Sequence, residues 1–182
     1  IISSVLSVDE GGTESSLDIL KAMEFDAVIH LGLSRNSEKI LLERFATNMI
    51  SMELPDNSGR MVKKSKILKN ASERIETTVS IHNFDEEFEH DKDVQWSCSA
   101  GSYVCNETYF KTLSALSNSN IPILFIHLPK MSEISLNKQV EVVSRAIRLM
   151  VTRPKLTVVG AMIRDENGSI LACMRPEGDA WS

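Results

Sequence analysis

The chain has 182 residues, of which 42% are apolar and 25% charged, and its formal net charge is −5. These values are typical of globular domains and exclude collagen-like, coiled-coil and wholly disordered chains. No basic block, no apolar run long enough to span a bilayer and no secretory signal is present; we therefore expect a cytoplasmic protein that binds neither nucleic acid nor membrane.

The pattern of apolar residues in the first third of the chain predicts strands and a helix. Residues 1–8 alternate apolar and polar side chains loosely and predict a strand, and residues 15–23 carry apolar residues at helical spacing. The β-rich run 25–31 predicts a buried central strand that opens into a loop at Gly32. Residues 40–50 fit a short helix or a strand equally well.

The middle of the chain has weaker signals. Residues 55–59 predict a turn, and the base-rich stretch 60–69 predicts a surface loop. Residues 73–88 suggest a helix, although Thr77 and its neighbours are poor helix formers.

The next elements are clearer. Residues 94–98 predict a strand, 99–102 a turn and 105–116 an amphipathic helix. A second buried strand follows at 121–128, and a helix at 136–152. The element order predicts an α/β fold: a three-layer α/β/α architecture with a mainly parallel sheet and helices on both faces.

The last thirty residues change character. Two apolar runs, 156–163 and 169–174, are joined by a turn with Asn167 and Gly168, a strong hairpin signal. We therefore expect two domains, 1–153 and 154–182. Because the chain opens on Ile1 and stops soon after the hairpin, we also expect that both of its ends are cut.

Cys105 is the first candidate for chemistry. The first turn of a helix presents unpaired N–H groups and a positive dipole end, which favour a thiolate and can form an oxyanion hole. The alternative is an inert buried thiol, the interpretation we adopt for Cys98 and Cys173. An odd number of cysteines without metal-ligand spacing predicts neither a disulfide framework nor a metal site, and we expect no cofactor.

His127 is the second candidate. It lies at the end of an apolar strand, at the sheet edge where the turn before Cys105 should lie, so a Cys–His pair is geometrically feasible. A hydrogen-bonded core histidine is the alternative, and it is the interpretation we adopt for His30. Glu43, beside Arg44, would by itself be interpreted as half of a surface ion pair.

Three blocks of sequence resemble the pyroglutamyl peptidase (pyrrolidone-carboxylate peptidase) family. They are the run 25–33, the run 40–48 followed by Pro-Asp-Asn at 55–57, and the pair formed by Ser-Ala-Gly-Ser-Tyr-Val-Cys-Asn at 99–106 with Phe-Ile-His-Leu-Pro at 125–129. Their order and separations are similar to those of the family. The resemblance covers about residues 1–150.

The resemblance implies a thiol exopeptidase that releases pyroglutamate from the N-terminus of a peptide. By motif position its catalytic residues fall on Cys105, His127 and Glu43. Tyr103, Val104 and Leu33 would contact the substrate ring. No metal is implied, and assembly into a homo-oligomer stays open.

Two features depart from the family pattern. We expect that the family's first strand and Phe-containing loop are missing before Ile1, and residues 33–37 stand where the family usually has a loop rich in glycine. Residues 156–181 resemble the opening hairpin of a Nudix hydrolase without its metal-binding helix. The alternative function is therefore a catalytically silent peptidase-like domain that serves a downstream Nudix nucleoside-diphosphate hydrolase.

Overall fold

A computed structural model describes residues 1–152 of the chain. The predicted hairpin, the boundary at 153/154 and Cys173 lie outside the described residues. The helices are α1 Glu10–Ala22, α2 Ile81–Phe88, α3 Val104–Ala115 and α4 Leu136–Val151. The strands are β1 Val28–Leu33, β2 Ile40–Glu43, β3 Phe45–Thr47, β4 Arg74–Glu76, β5 Val94–Ser97 and β6 Ile123–Leu128.

Four strands form one sheet in the order β1-β6-β2-β5. β1 pairs with β6 and β2 with β5 in parallel, while β2 and β6 run antiparallel. The sheet is thus mainly parallel, as the element order predicts. β3 and β4 form a separate antiparallel ribbon.

Strand β6 shows how the layers form. Leu124 and Ile126 pack into the apolar core shared with α2 and α4, whereas Ile123 and Phe125 pack into the core shared with α3. Alternate residues of a strand point to opposite faces of its sheet. The sheet therefore has helices on both faces, and the predicted three-layer fold is confirmed.

Residues 1–8 do not form the predicted strand. They have no regular structure, and Ile1 and Val5 are fully exposed. A strand needs a neighbour to complete its hydrogen bonds, and no described strand pairs with this segment. The Asp9 carboxylate instead accepts a hydrogen bond from the Gly12 N–H (2.9 Å) and caps α1.

Two further expectations need correction. β1, predicted as a central strand, lies at the edge of the described sheet, because an apolar run does not by itself specify how many neighbours it has. The predicted helix 73–88 forms only from Ile81. Before it, the hydroxyls of Thr77 and Thr78 donate hydrogen bonds to carbonyls that flank the start of β6, and the Ser80 hydroxyl caps α2.

Residues 40–50, which the pattern left undecided, contain β2 and β3. The base-rich stretch 60–69 contains no helix or strand, as predicted. No helix among residues 1–152 is both long and apolar enough to cross a membrane.

Candidate active site

Glu43 and His127 lie on neighbouring strands. Glu43 ends β2 and stands opposite Phe125 of β6, while His127 is two residues further along β6. Because Phe125 faces α3, strand alternation places the His127 side chain on that same face. Leu42 packs on the other side of the sheet, so the carboxylate of Glu43 also points toward α3.

Cys105 reaches the same face from the turn after β5. Gly101 in this turn has a φ of +84°, a conformation that favours glycine. Helix α3 begins at Val104, and its N-cap, Tyr103, makes no side-chain capping bond. The half-buried Cys105 is thus the second residue of α3, among N–H groups that have no partner inside the helix.

The structure brings the three predicted catalytic side chains together. The Nδ1 of His127 donates a hydrogen bond of 2.7 Å to the Oε1 of Glu43. The Cys105 side chain is close enough to the His127 ring to raise the pKa of the imidazole. Since Nδ1 is engaged by Glu43, Nε2 is the nitrogen left for the thiol.

The protonation state of His127 follows from its contacts. Burial lowers the pKa of His127, but the hydrogen bonds and negative charges of Cys105 and Glu43 outweigh burial and raise the pKa to about 9. His127 is therefore a cation at neutral pH. A neighbouring cation favours the thiolate form of a cysteine in general, and the thiolate is the reactive form.

The other histidines behave differently. His30 is also buried, and its Nε2 lies 3.0 Å from the hydroxyl of Thr112, with no carboxylate partner among residues 1–152. Burial lowers its pKa to about 4, so it is neutral and acts as a core residue, as predicted. His82 and His90 are exposed.

Glu43 is held in an unusual environment. It is 1% exposed, and its Oε2 has no hydrogen-bond partner among residues 1–152. An ionised carboxylate buried in this way is costly unless a positive charge lies next to it. The His127 cation is that charge, so the two residues depend on each other.

Packing fixes the ring of His127. The rings of Phe125 and His127 lie 4.7 Å apart between centroids. A Cβ added at Gly32 would lie 2.9 Å from the Phe125 ring and 3.2 Å from His127 Cδ2, so a larger residue there would displace these rings. Sequence reasoning treated Gly32 only as the end of a strand.

The predicted substrate contacts divide into three cases. Tyr103 is partly exposed, and its hydroxyl donates to the Pro55 carbonyl at 2.9 Å. Val104 is 3% exposed and packs in the cluster that includes Ile50. Leu33 is exposed but pairs with Leu128, so alternation places its side chain on the face opposite His127. All three contacts stay predictions.

Cys98, which we predicted to be buried and inert, is exposed because it lies just beyond β5 rather than within it. No cluster of three metal-ligating side chains occurs among residues 1–152.

A thiol, an imidazole and a buried carboxylate close together on an α/β sheet are the groups that a cysteine hydrolase needs. A family model described as pyroglutamyl peptidase matches residues 10–164. The chain belongs to this family of cysteine peptidases.

Proteins that are similar to this chain in sequence are named as members of the same family. The pyrrolidone-carboxylate peptidase of Pyrococcus furiosus is 29% identical over 143 residues, which are 76% of this chain and 68% of the relative. That of Thermococcus litoralis is 31% identical over 122 residues, 65% of this chain and 56% of the relative. The chain thus spans between 56% and 68% of the length of these two relatives.

Solved structures match in fold. The pyrrolidone carboxyl peptidase of Thermococcus litoralis superposes with a TM-score of 0.76 at 25% identity, covering 81% of this chain and 76% of that one. The Thermus thermophilus enzyme gives a TM-score of 0.67 at 30% identity, covering 81% and 79%.

Proposed function

We propose that the protein is a cysteine exopeptidase that hydrolyses the bond after an N-terminal pyroglutamate and releases free pyroglutamate. The observation that carries the proposal is the series Cys105, His127 and Glu43, with a hydrogen-bonded carboxylate behind the histidine. The names of the relatives supply the substrate class.

The first half of the reaction forms an acyl-enzyme. The Cys105 thiolate attacks the pyroglutamyl carbonyl carbon, a C–S bond forms, and the carbonyl oxygen becomes an oxyanion. The unpaired N–H groups in the first turn of α3 stabilise that negative charge. The His127 cation then donates its Nε2 proton to the leaving amine, the C–N bond breaks, and the shortened peptide departs.

The second half regenerates the enzyme. Neutral His127 removes a proton from a water molecule, which attacks the thioester carbonyl. The C–S bond breaks, pyroglutamate leaves, and Cys105 is again a thiolate beside a protonated His127. Glu43 makes no bond to substrate; it orients the imidazole and stabilises its positive charge in both halves.

Tyr103 and Val104 give the site its substrate preference in this proposal. Both immediately precede Cys105 at the start of α3, where the ring of the substrate would lie during attack. The partly exposed face of the Tyr103 ring is the larger apolar surface of the two and packs against the lactam.

The domain organisation also remains a proposal: a peptidase domain over 1–153 and a Nudix-like hairpin within 154–182. The Asn167-Gly168 turn supports it. The family match to residue 164 weighs against so early a boundary. The assembled catalytic group does not favour the silent-domain alternative.

The direct test incubates the full-length protein with a pyroglutamyl peptide and, separately, with the same peptide carrying N-terminal proline. Proline has the same five-membered ring but lacks the lactam carbonyl. We expect free pyroglutamate from the first peptide and no cleavage of the second, measured by mass spectrometry. Absence of pyroglutamate release, or equal cleavage of both peptides, would contradict the proposal.

A further inference from the structure

The side chain next to Cys105 makes an unusual set of hydrogen bonds. Asn106 is fully buried, and its Nδ2 donates to the carbonyls of Thr47 (2.8 Å) and Met49 (2.9 Å). Its Oδ1 accepts from the N–H of Thr47 at 2.9 Å. The amide therefore uses both of its donors and its acceptor on one segment, residues 47–49.

Neighbouring residues of this part of the chain bond to the turn before α3 and to α3 itself. On the N-terminal side of Cys105, the Ser51 N–H donates to the Ser102 carbonyl at 2.8 Å, and the Ser102 hydroxyl donates back to the Ser51 carbonyl at 3.0 Å. One helical turn after Cys105, the buried hydroxyl of Tyr109 donates to the backbone carbonyl of Glu43 at 3.0 Å.

These contacts connect the two halves of the catalytic group. Glu43 and the segment 47–49 lie on one continuous stretch of chain, which contains β2 and β3 and runs on to Met49, whereas Cys105 lies on α3. Because the N-cap of α3 makes no side-chain capping bond, the bonds of Ser102, Asn106 and Tyr109 are the polar contacts that set the position of its first turns against this stretch.

We propose that Asn106, together with Tyr109, is a positioning residue that holds the Cys105 thiolate in line with His127 and Glu43. The proposal deepens the proposed function and rests on it for the role of Cys105. Asn106 touches no reacting atom; it acts through the backbone of its neighbour. Displacements near 1 Å in such groups cost catalysis up to about a hundredfold.

The chain offers a matched control in Asn48. This asparagine is also buried, and its amide donates to the carbonyls of Leu68 (2.8 Å) and Ala71 (3.2 Å) and accepts from the Leu68 N–H (2.8 Å). It therefore makes the same kind of bonds from the same segment, but toward a loop rather than toward α3. A purely structural asparagine should behave as Asn48 does.

The experiment compares Asn106→Ala, Asn48→Ala and Tyr109→Phe in the full-length protein. Three quantities are measured: urea stability, kcat and KM on a pyroglutamyl amide, and the pH profile of Cys105 alkylation by iodoacetamide. We expect all three variants to lose stability. Only Asn106→Ala and Tyr109→Phe should lower kcat, by about tenfold to a hundredfold with little change in KM, and move Cys105 alkylation to higher pH.

The proposal is overturned if Asn106→Ala loses stability as Asn48→Ala does while kcat and the alkylation profile stay at wild-type values. Should Asn106→Ala not fold, Tyr109→Phe decides alone, because it removes one hydroxyl and keeps the ring. Alkylation needs no turnover, so a protein inactive on pyroglutamyl substrates would refute the proposed function and still leave the positioning role testable.

Discussion

The charge on His127 makes stability depend on pH in a way that one substitution isolates. The pKa of His127 is about 9 in the folded protein and 6.5 in the unfolded chain, a difference of about 2.5 units that corresponds to roughly 3 kcal/mol. Since the folded pKa is the higher one, this stabilisation is fully present below pH 6.5 and is lost as the pH rises through 9.

Glu43→Gln removes one of the two negative groups that raise this pKa while keeping the size of the side chain. The amide oxygen can still accept from Nδ1 of His127, so the ring keeps its orientation, but the charge is gone. Because part of this stabilisation depends on the negative charge of Glu43, we expect a loss of about 1–2 kcal/mol in stability near pH 6.5.

The assay is urea unfolding of wild type and Glu43→Gln at pH 6.5, 7.5, 8.5 and 9.5 and constant ionic strength. We expect the stability difference between the two proteins to shrink steadily across this range. Catalytic activity should be reduced but measurable at pH 7, because Glu43 orients and makes no bond. A stability difference that stays constant with pH would refute the argument that Glu43 stabilises a His127 cation.

Three other results follow from the site. Cys98 is exposed and Cys105 half-buried. We expect iodoacetamide to alkylate Cys105 faster than Cys98 near pH 7, because a thiolate reacts faster than a thiol. Faster alkylation of Cys98 would mean that exposure alone sets the rate. Tyr103→Ala should raise KM, by roughly 1–3 kcal/mol in binding if its ring packs on the substrate, and an unchanged KM would remove it from the site. Gly32→Ala should lower both stability, by about 1–3 kcal/mol, and kcat, because the added methyl group meets Phe125 and His127; wild-type kcat would contradict the packing argument.

The elements that sequence patterns predicted best are those with strong periodicity and local signals. Helix α4 and strand β6 agree with their predicted ranges to within two residues because their apolar faces are continuous. Residues 1–8 and the edge position of β1 could not be predicted, because strand pairing depends on neighbours distant in sequence.

The residues of the candidate site also divide into those with a local sequence signal and those without one. Cys105 and His127 could be nominated locally, from a helix start and a strand end. Glu43 could not, because beside Arg44 it has the pattern of a surface ion pair, whereas in the fold Arg44 pairs with Glu76 at 2.7 Å and Glu43 turns inward. Only the resemblance identified it. Asn106 had no local signal at all, since its partners lie 57 to 59 residues earlier in the chain.

The central claim is that Cys105 is the nucleophile, and one comparison tests it most directly. Cys105→Ser and Cys98→Ser make the same chemical change at two cysteines seven positions apart, and only the first removes the proposed nucleophile. In the full-length protein, hydrolysis of a pyroglutamyl amide should fall to background in Cys105→Ser and stay at the wild-type rate in Cys98→Ser, with urea stability little changed in both. Wild-type turnover by Cys105→Ser would contradict the mechanism proposed here.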